Sequence, residues 1–274
     1  MFLTANEWLE LLVRWAHVFA GIMWVGATYY FTWLDGRFTE LEEQAAKGEK
    51  AEKFVWMVHS GGFYLVEKQK RPQLMPQALH WFRWEAAITW LTGIFLFALM
   101  YYRGGNLFSS DTVQGEPGAL SKSAAIWLSV GLLAAGWVVY DLLWKFCPRE
   151  MPGVVISYGL IVGASWVCFH FFGPRGAFLQ MGAMLGTIMA ANVWMRILPA
   201  QRRMIAALKA GGEPDLKEGS SAKARSKHNS FIVIPVVFMM LSQHYPALYG
   251  GQSWLILSGM VLLGWGAAKL IRRA

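Results

Sequence analysis

Histidines 17, 170 and 244 fall within or at the ends of long apolar stretches. An ionisable side chain inside a bilayer is costly to keep, so by default it points to function. His17 is followed one helical turn later by Gly21, and Trp24 and Thr28 continue that face. A bulky group above a glycine leaves a slot that fits a flat cofactor, with His17 as axial ligand. The plainer reading is a histidine hydrogen-bonded to a neighbouring helix. His170 is preceded on one face by Gly159, Gly163 and Trp166. That glycine pair serves either close helix packing or a ring lying flat below His170. His244 follows Met240 by one turn. Together, His17, His170, His244 and Met240 form a candidate ligand set for haem b, with one or two haems. Copper prefers tighter His/Met spacing than this.

A second polar set gathers at the opposite ends of the apolar stretches. It comprises His80, Arg83 and Glu85, then Asp141, then Asn192 and Arg196, then His228 and Asn229. Asn192 and Arg196 stand at i and i+4, on one helix face. One reading is a structural ion-pair network that joins Glu85 to Arg83 or Arg196. The other is an anion site, with Arg83, Glu85, Asn192, Arg196 and Asn229 holding a planar substrate. His80 or His228 would then accept its proton. A second haem on His80 or His228 is a further alternative.

The elements that must position these groups are membrane spans. Of the 274 residues, 55% are apolar and 15% charged, and 15 are tryptophan. A span needs about 20 mainly apolar residues. Seven stretches qualify: Trp8 to Tyr30, Leu79 to Tyr102, Ser123 to Phe146, Val154 to Phe172, Phe178 to Leu198, Ser230 to Pro246 and Trp254 to Ile271. The sixth is short, and its Pro235 bends it. The expected fold is an all-α integral membrane protein, a single bundle of about seven transmembrane helices over residues 1–274.

Loop charge predicts the orientation. Residues 35–78 carry seven Lys or Arg and residues 199–229 carry seven more, while residues 247–253 carry none. The positive-inside rule then puts the N-terminus outside and the C-terminus in the cytoplasm of a multi-pass protein of the bacterial inner membrane. Residues 36–53 read as a solvated helix. Residues 54–66 are too short to span and read as an interfacial or re-entrant segment. Residues 209–229 read as a flexible loop.

Several classes are excluded. The net charge of +8 sits in cytoplasmic loops and does not indicate nucleic acid. Cys147 and Cys168 lack metal-ligand spacing, and there is no C-x-x-C-H for haem c. No Gly-rich nucleotide motif for NAD or flavin is present. Residues 1–10 lack a basic n-region and read as the start of a retained span.

The stretches WAHVFAGIMWVGATYYF (15–31), HSGGFYLVEK (59–68), LHWFRWEAAITWLTG (79–93), NVWMRILPAQRRM (192–204) and RSKHNSFIVIPVVFMMLSQHYP (225–246) carry a resemblance. In that order they resemble the membrane domain of the bacterial cytochrome-c-linked urate oxidase family. The resemblance implies urate oxidation without flavin or free copper, with electrons passing to a fused c-type cytochrome. The H-x3-G pattern at His17 is also similar to membrane haem oxidases of porphyrin synthesis, which supports haem b. Here the sequence ends at Arg272-Arg273-Ala274 with no cytochrome c. Electrons are therefore expected to leave through a separate cytochrome c or a quinone.

Two other readings stand beside that of a urate oxidase-type enzyme. One is a non-catalytic haem b electron-transfer or anchor subunit, with basic loops docking a soluble partner protein. The other is a transporter, for which only Pro235 gives a hint.

Overall fold

The computed structural model describes residues 3–50, 52–69, 79–105, 107, 120–147 and 149–272. Among the described residues it contains seven long helices and one β-hairpin. The helices are α1 (Ala5–Ala46), α2 (Trp84–Arg103), α3 (Lys122–Phe146), α4 (Glu150–Phe171), α5 (Pro174–Lys209), α6 (Leu216–Leu241) and α7 (Ser253–Ile271). All except α6 are long and apolar enough to cross a membrane. The loop cations Lys70 and Arg71, and the acidic Asp111 and Glu116, lie outside the described residues.

Local chemistry sets the helix ends. Thr4 caps α1 through a capping box with Glu7. Ser121 caps α3 and Asp215 caps α6. Pro174 opens α5, where its missing N–H would be unpaired anyway.

Helix α5 is the centre of the bundle. Phe178, Met181, Met184, Leu185, Ile188 and Met189 are buried on it. Helices α2, α3, α4 and α6 pack around it, α1 lies along α2, and α7 lies against α4 and α6. Small residues set the close approaches. A Cβ on Gly264 of α7 would come 2.8 Å from the Pro235 ring of α6. Polar contacts add direction: buried Gln180 of α5 donates to the Ser129 carbonyl of α3 at 3.0 Å. Such bonds hold apolar helices in register where no hydrophobic force separates helix from lipid.

Four expectations need correction. Residues 36–46 are helical, as the continuation of α1, but the helix stops at Ala46, short of residue 53. At about 1.5 Å per residue, its 42 residues reach about 63 Å, roughly twice the hydrocarbon thickness. Residues 54–66, read as an interfacial or re-entrant segment, pack on α1 rather than re-entering between helices. They build a hairpin of β1 (Phe54–His59) and β2 (Gly62–Glu67), turning at Ser60 and Gly61, both with positive φ. Twist compatibility with the flanking strands favours such turns. The stretch read as a loop at 209–229 becomes helix α6 from Leu216 onward, because Ala, Lys and Glu propagate the turn that Asp215 caps. That helix ends at Leu241, so the sixth apolar segment is shorter than Ser230 to Pro246. Residues 242–244 and 246–248 are short 3₁₀ turns instead.

Candidate functional site

A cavity of about 890 Å³ lies between α3, α4, α5, α6 and α7. Its body is apolar, with Leu132, Ile161, Leu185 and Ile188 among its walls. On α4 the wall is bare: a Cβ built on Gly159 or Gly163 meets nothing within 4 Å. Gly266 of α7 leaves the same open space. The volume falls within the range of small-molecule and cofactor pockets, about 300–1,000 Å³.

One end of the cavity is polar. Tyr140, Glu150, Lys227, His228, Lys269 and Arg272 line it. They come from the C-terminal end of α3, the start of α4, the middle of α6 and the end of α7. Lys227 Nζ donates to Glu150 at 2.5 Å. That bond is the leading influence that holds the Glu150 carboxyl below its ordinary range.

His228 is fixed from two sides. Its Nδ1 lies 2.8 Å from the Tyr140 hydroxyl, and its ring centroid lies 4.0 Å from that of Trp144. The Tyr140 oxygen also accepts from Asn192 Nδ2 at 2.9 Å. Asn192 Nδ2 donates to Asn229 Oδ1 at 2.9 Å, and Asn229 Nδ2 donates to the Met189 carbonyl at 3.0 Å. If Nδ1–H donates to Tyr140, the lone pair of Nε2 is left to act as base or ligand.

Behind this relay lies an ionic knot. Asp141 accepts from Arg196 Nε at 2.8 Å and from Arg225 Nη2 at 2.9 Å. The Arg225 guanidinium also sits 5.0 Å over the Tyr140 ring. Asn192 begins a π-helical turn, Asn192–Ile197, within α5. Such turns often mark functional positions. Two buried atoms here lack a partner, Asn192 Oδ1 and Arg225 Nη1. Buried polar atoms are paired as a rule, so the cluster has unused binding capacity.

Of the polar set expected from sequence, Asn192, Arg196, His228, Asn229 and Asp141 come together. Arg196 pairs with Asp141, which corrects the expected pairing with Glu85. Arg83 approaches through aromatics: its guanidinium lies 5.4 Å from the Trp84 ring, which meets Trp194 of α5 edge-on. Glu85 sits in the first turn of α2, where a negative charge suits the helix N-terminus. His80 is exposed and lies against Phe82, with ring centroids 4.5 Å apart. None of these last three lines the cavity, and of the first five only His228 does.

The histidines expected to hold haem are dispersed. His17 Nδ1 lies 2.9 Å from the Thr89 carbonyl and 3.2 Å from Thr92 Oγ1, both on α2. Its ring lies against Gly93, where a Cβ would come within 2.8 Å of His17 Cε1. The slot beside Gly21 faces Thr89 of α2. His170 is exposed and stacked on Trp166. His244 is exposed in a 3₁₀ turn. Met240 packs beside Gly182. Among the described residues, no three His, Cys, Asp or Glu gather in a group able to hold a metal ion.

Sequence reasoning missed Tyr140 and Arg225. Tyr140 precedes Asp141, and Arg225 opens one of the stretches that carried the resemblance, so both were within sight. Nothing in their spacing showed that α3 and α6 would meet.

Neither the curated proteins nor the solved structures provide a match to this chain. The family model described as urate oxidase N-terminal does match, across residues 3–272 and so through every helix of the bundle, and the chain belongs to that family.

Proposed function

We propose that this chain is a membrane-bound haem b oxidoreductase of the urate oxidase type. It oxidises urate or a related small molecule and passes the electrons to a separate cytochrome c or a quinone. In this reading the N-terminus lies outside, the C-terminus lies in the cytoplasm, and the polar end of the cavity opens on the cytoplasmic side.

The observation that carries the reading is the cavity with His228 at its polar end. It fits a haem on three counts. Its volume is adequate, its glycine wall leaves room for a flat ring, and it offers an imidazole held from behind by Tyr140. His228 would hold the iron through a ring nitrogen, and Lys227, Lys269 and Arg272 would offer positive charge to the carboxylates of the group. A bound haem would supply a sink for electrons. The dispersed set of His17, His170, His244 and Met240 fits less well, because His17 is packed tightly onto α2.

The protein's own groups handle substrate and protons. Arg225 and Asn192 each have an unused hydrogen-bonding atom, suited to the edge of a planar anion. Where Nε2 of His228 serves as base in place of ligand, Tyr140 and His228 form a short path along which a proton can move.

The visible spectrum of the purified protein, taken without oxygen before and after urate is added, tests this reading. A b-type spectrum that becomes reduced by urate supports it. A haem reduced only by quinol or dithionite points to an electron-transfer subunit. Absence of haem sinks it. Gly159→Leu fills the cavity wall without touching the ionic knot, and should abolish the haem signal while the fold survives.

A further inference from the structure

We propose that the β1–β2 hairpin is a membrane-interface anchor whose outer face rests in lipid at the headgroup–acyl boundary. The inference rests on the reading that α1 crosses a bilayer.

The hairpin has two unlike apolar faces. On the inner face Val55, Met57 and Val66 pack against Leu34, Phe38 and Leu41 of α1. On the outer face the cross-strand pairs Trp56–Leu65 and Val58–Phe63 stand together. Trp56 is 60% exposed, Val58 69% and Phe63 78%. A contiguous apolar patch of this kind is rarely left in water. A two-stranded hairpin alone is marginally stable, and α1 supplies its support on the inner face only.

Its direction identifies the cover. The turn end lies beside Tyr30, whose hydroxyl is 3.5 Å from Met57 Sδ. The open end lies further along α1, where Lys68 meets Asp35 at 2.5 Å and sits 5.9 Å from the Phe38 ring. Tyr30 closes the apolar stretch of α1, and Phe38 lies about 12 Å beyond it at ~1.5 Å per residue. The turn therefore points back towards the bilayer. The apolar stretch of α1 before Tyr30 is itself exposed, with Phe19 and Ile22 each more than 60% exposed. Trp56 and Tyr64 line one hollow with Tyr30, and Phe31 meets Phe82 edge-on, the composition of an interfacial aromatic belt.

The test uses the full chain in phosphatidylcholine nanodiscs, with Cys147→Ser and Cys168→Ala as background. Nitroxides are placed singly by Phe63→Cys, Val58→Cys, Lys53→Cys and Ile22→Cys. Collision with oxygen is compared with collision with a water-soluble nickel chelate. The expected result is that labels at 63 and 58 favour oxygen, as at 22, while the label at 53 favours nickel. Nickel access at 63 and 58 with oxygen access retained at 22 overturns the anchor and leaves the spanning reading intact. Nickel access at 22 overturns the spanning reading, and the anchor with it. Spin–spin broadening at 63 and 58 would show a second copy covering the patch and also overturns the anchor.

Discussion

The hydroxyl of Tyr140 lies 2.8 Å from Nδ1 of His228, joining α3 to α6 at the polar end of the cavity. The same oxygen takes the amide of Asn192 from α5, so three helices meet on one phenol. Removing it leaves His228 Nδ1 without this partner and takes one of two bonds from Asn192 Nδ2, which keeps Asn229. Tyr140→Phe should cost about 1–3 kcal/mol of stability, the penalty for unpaired buried polar atoms. Urate-dependent reduction should fall by about 10²-fold or more if the phenol serves the proton path. Thermal unfolding and anaerobic reduction, measured on one preparation, check both.

The two arginines on Asp141 should differ sharply. The Arg225 side chain is 6% exposed and that of Arg196 is 44%. Arg196→Ala should cost about 1 kcal/mol or less, as for an exposed pair. Asp141→Ala leaves Arg225 buried and uncompensated, and should cost about 3–5 kcal/mol. Equal melting temperatures for the Arg196→Ala and Asp141→Ala proteins would contradict this account.

Gly93 should tolerate no side chain while His17 stands opposite. Gly93→Ala places a Cβ 2.8 Å from His17 Cε1 and should destabilise by about 1–3 kcal/mol through overpacking. Adding His17→Ala opens the space and should recover most of that loss. A double-mutant cycle reads the coupling directly. Additive losses would mean that the two residues do not share the contact.

Acid should release the hairpin base. Burial alone would raise Asp35, but hydrogen bonds and charges from Lys68 and Lys223 outweigh it and hold the carboxyl below its ordinary 3.8. A carboxyl held low stabilises the folded form fully above its unfolded pKa. That contribution is lost as pH falls through the folded value. Attachment of the hairpin to α1 should therefore be steady at neutral pH and weaken only below about 3.8. Hydrogen exchange across residues 54–67 should show that loss in the native chain. Asp35→Asn should be loosened at every pH, with a flat profile.

The sequence by itself determined the helical class and placed the ends of α3 and α7 to within one residue. The apolar stretches are long, and the helix ends carry short-range signals such as Thr4, Ser121 and Pro174. It also determined that Asn192, Arg196, His228, Asn229 and Asp141 would gather at one end of the bundle, because alternating spans sort their polar termini. Charge misled the reading at α6: Lys217 to Lys227 look like a loop in a hydropathy pattern, yet they propagate a capped helix. Likewise, the apolar run at 54–66 read only as an interfacial or re-entrant segment and did not reveal a hairpin, since the Ser60-Gly61 turn acts through backbone torsion. Which histidine faces the cavity was decided only by tertiary structure. A glycine next to a histidine describes one helix face, whereas room for a ligand depends on the neighbouring helix. Gly21 faces Thr89 of α2, while Gly159 and Gly163 face open space in the cavity that His228 of α6 also lines. Contacts between helices far apart in sequence set that difference, and no spacing along one helix encodes them.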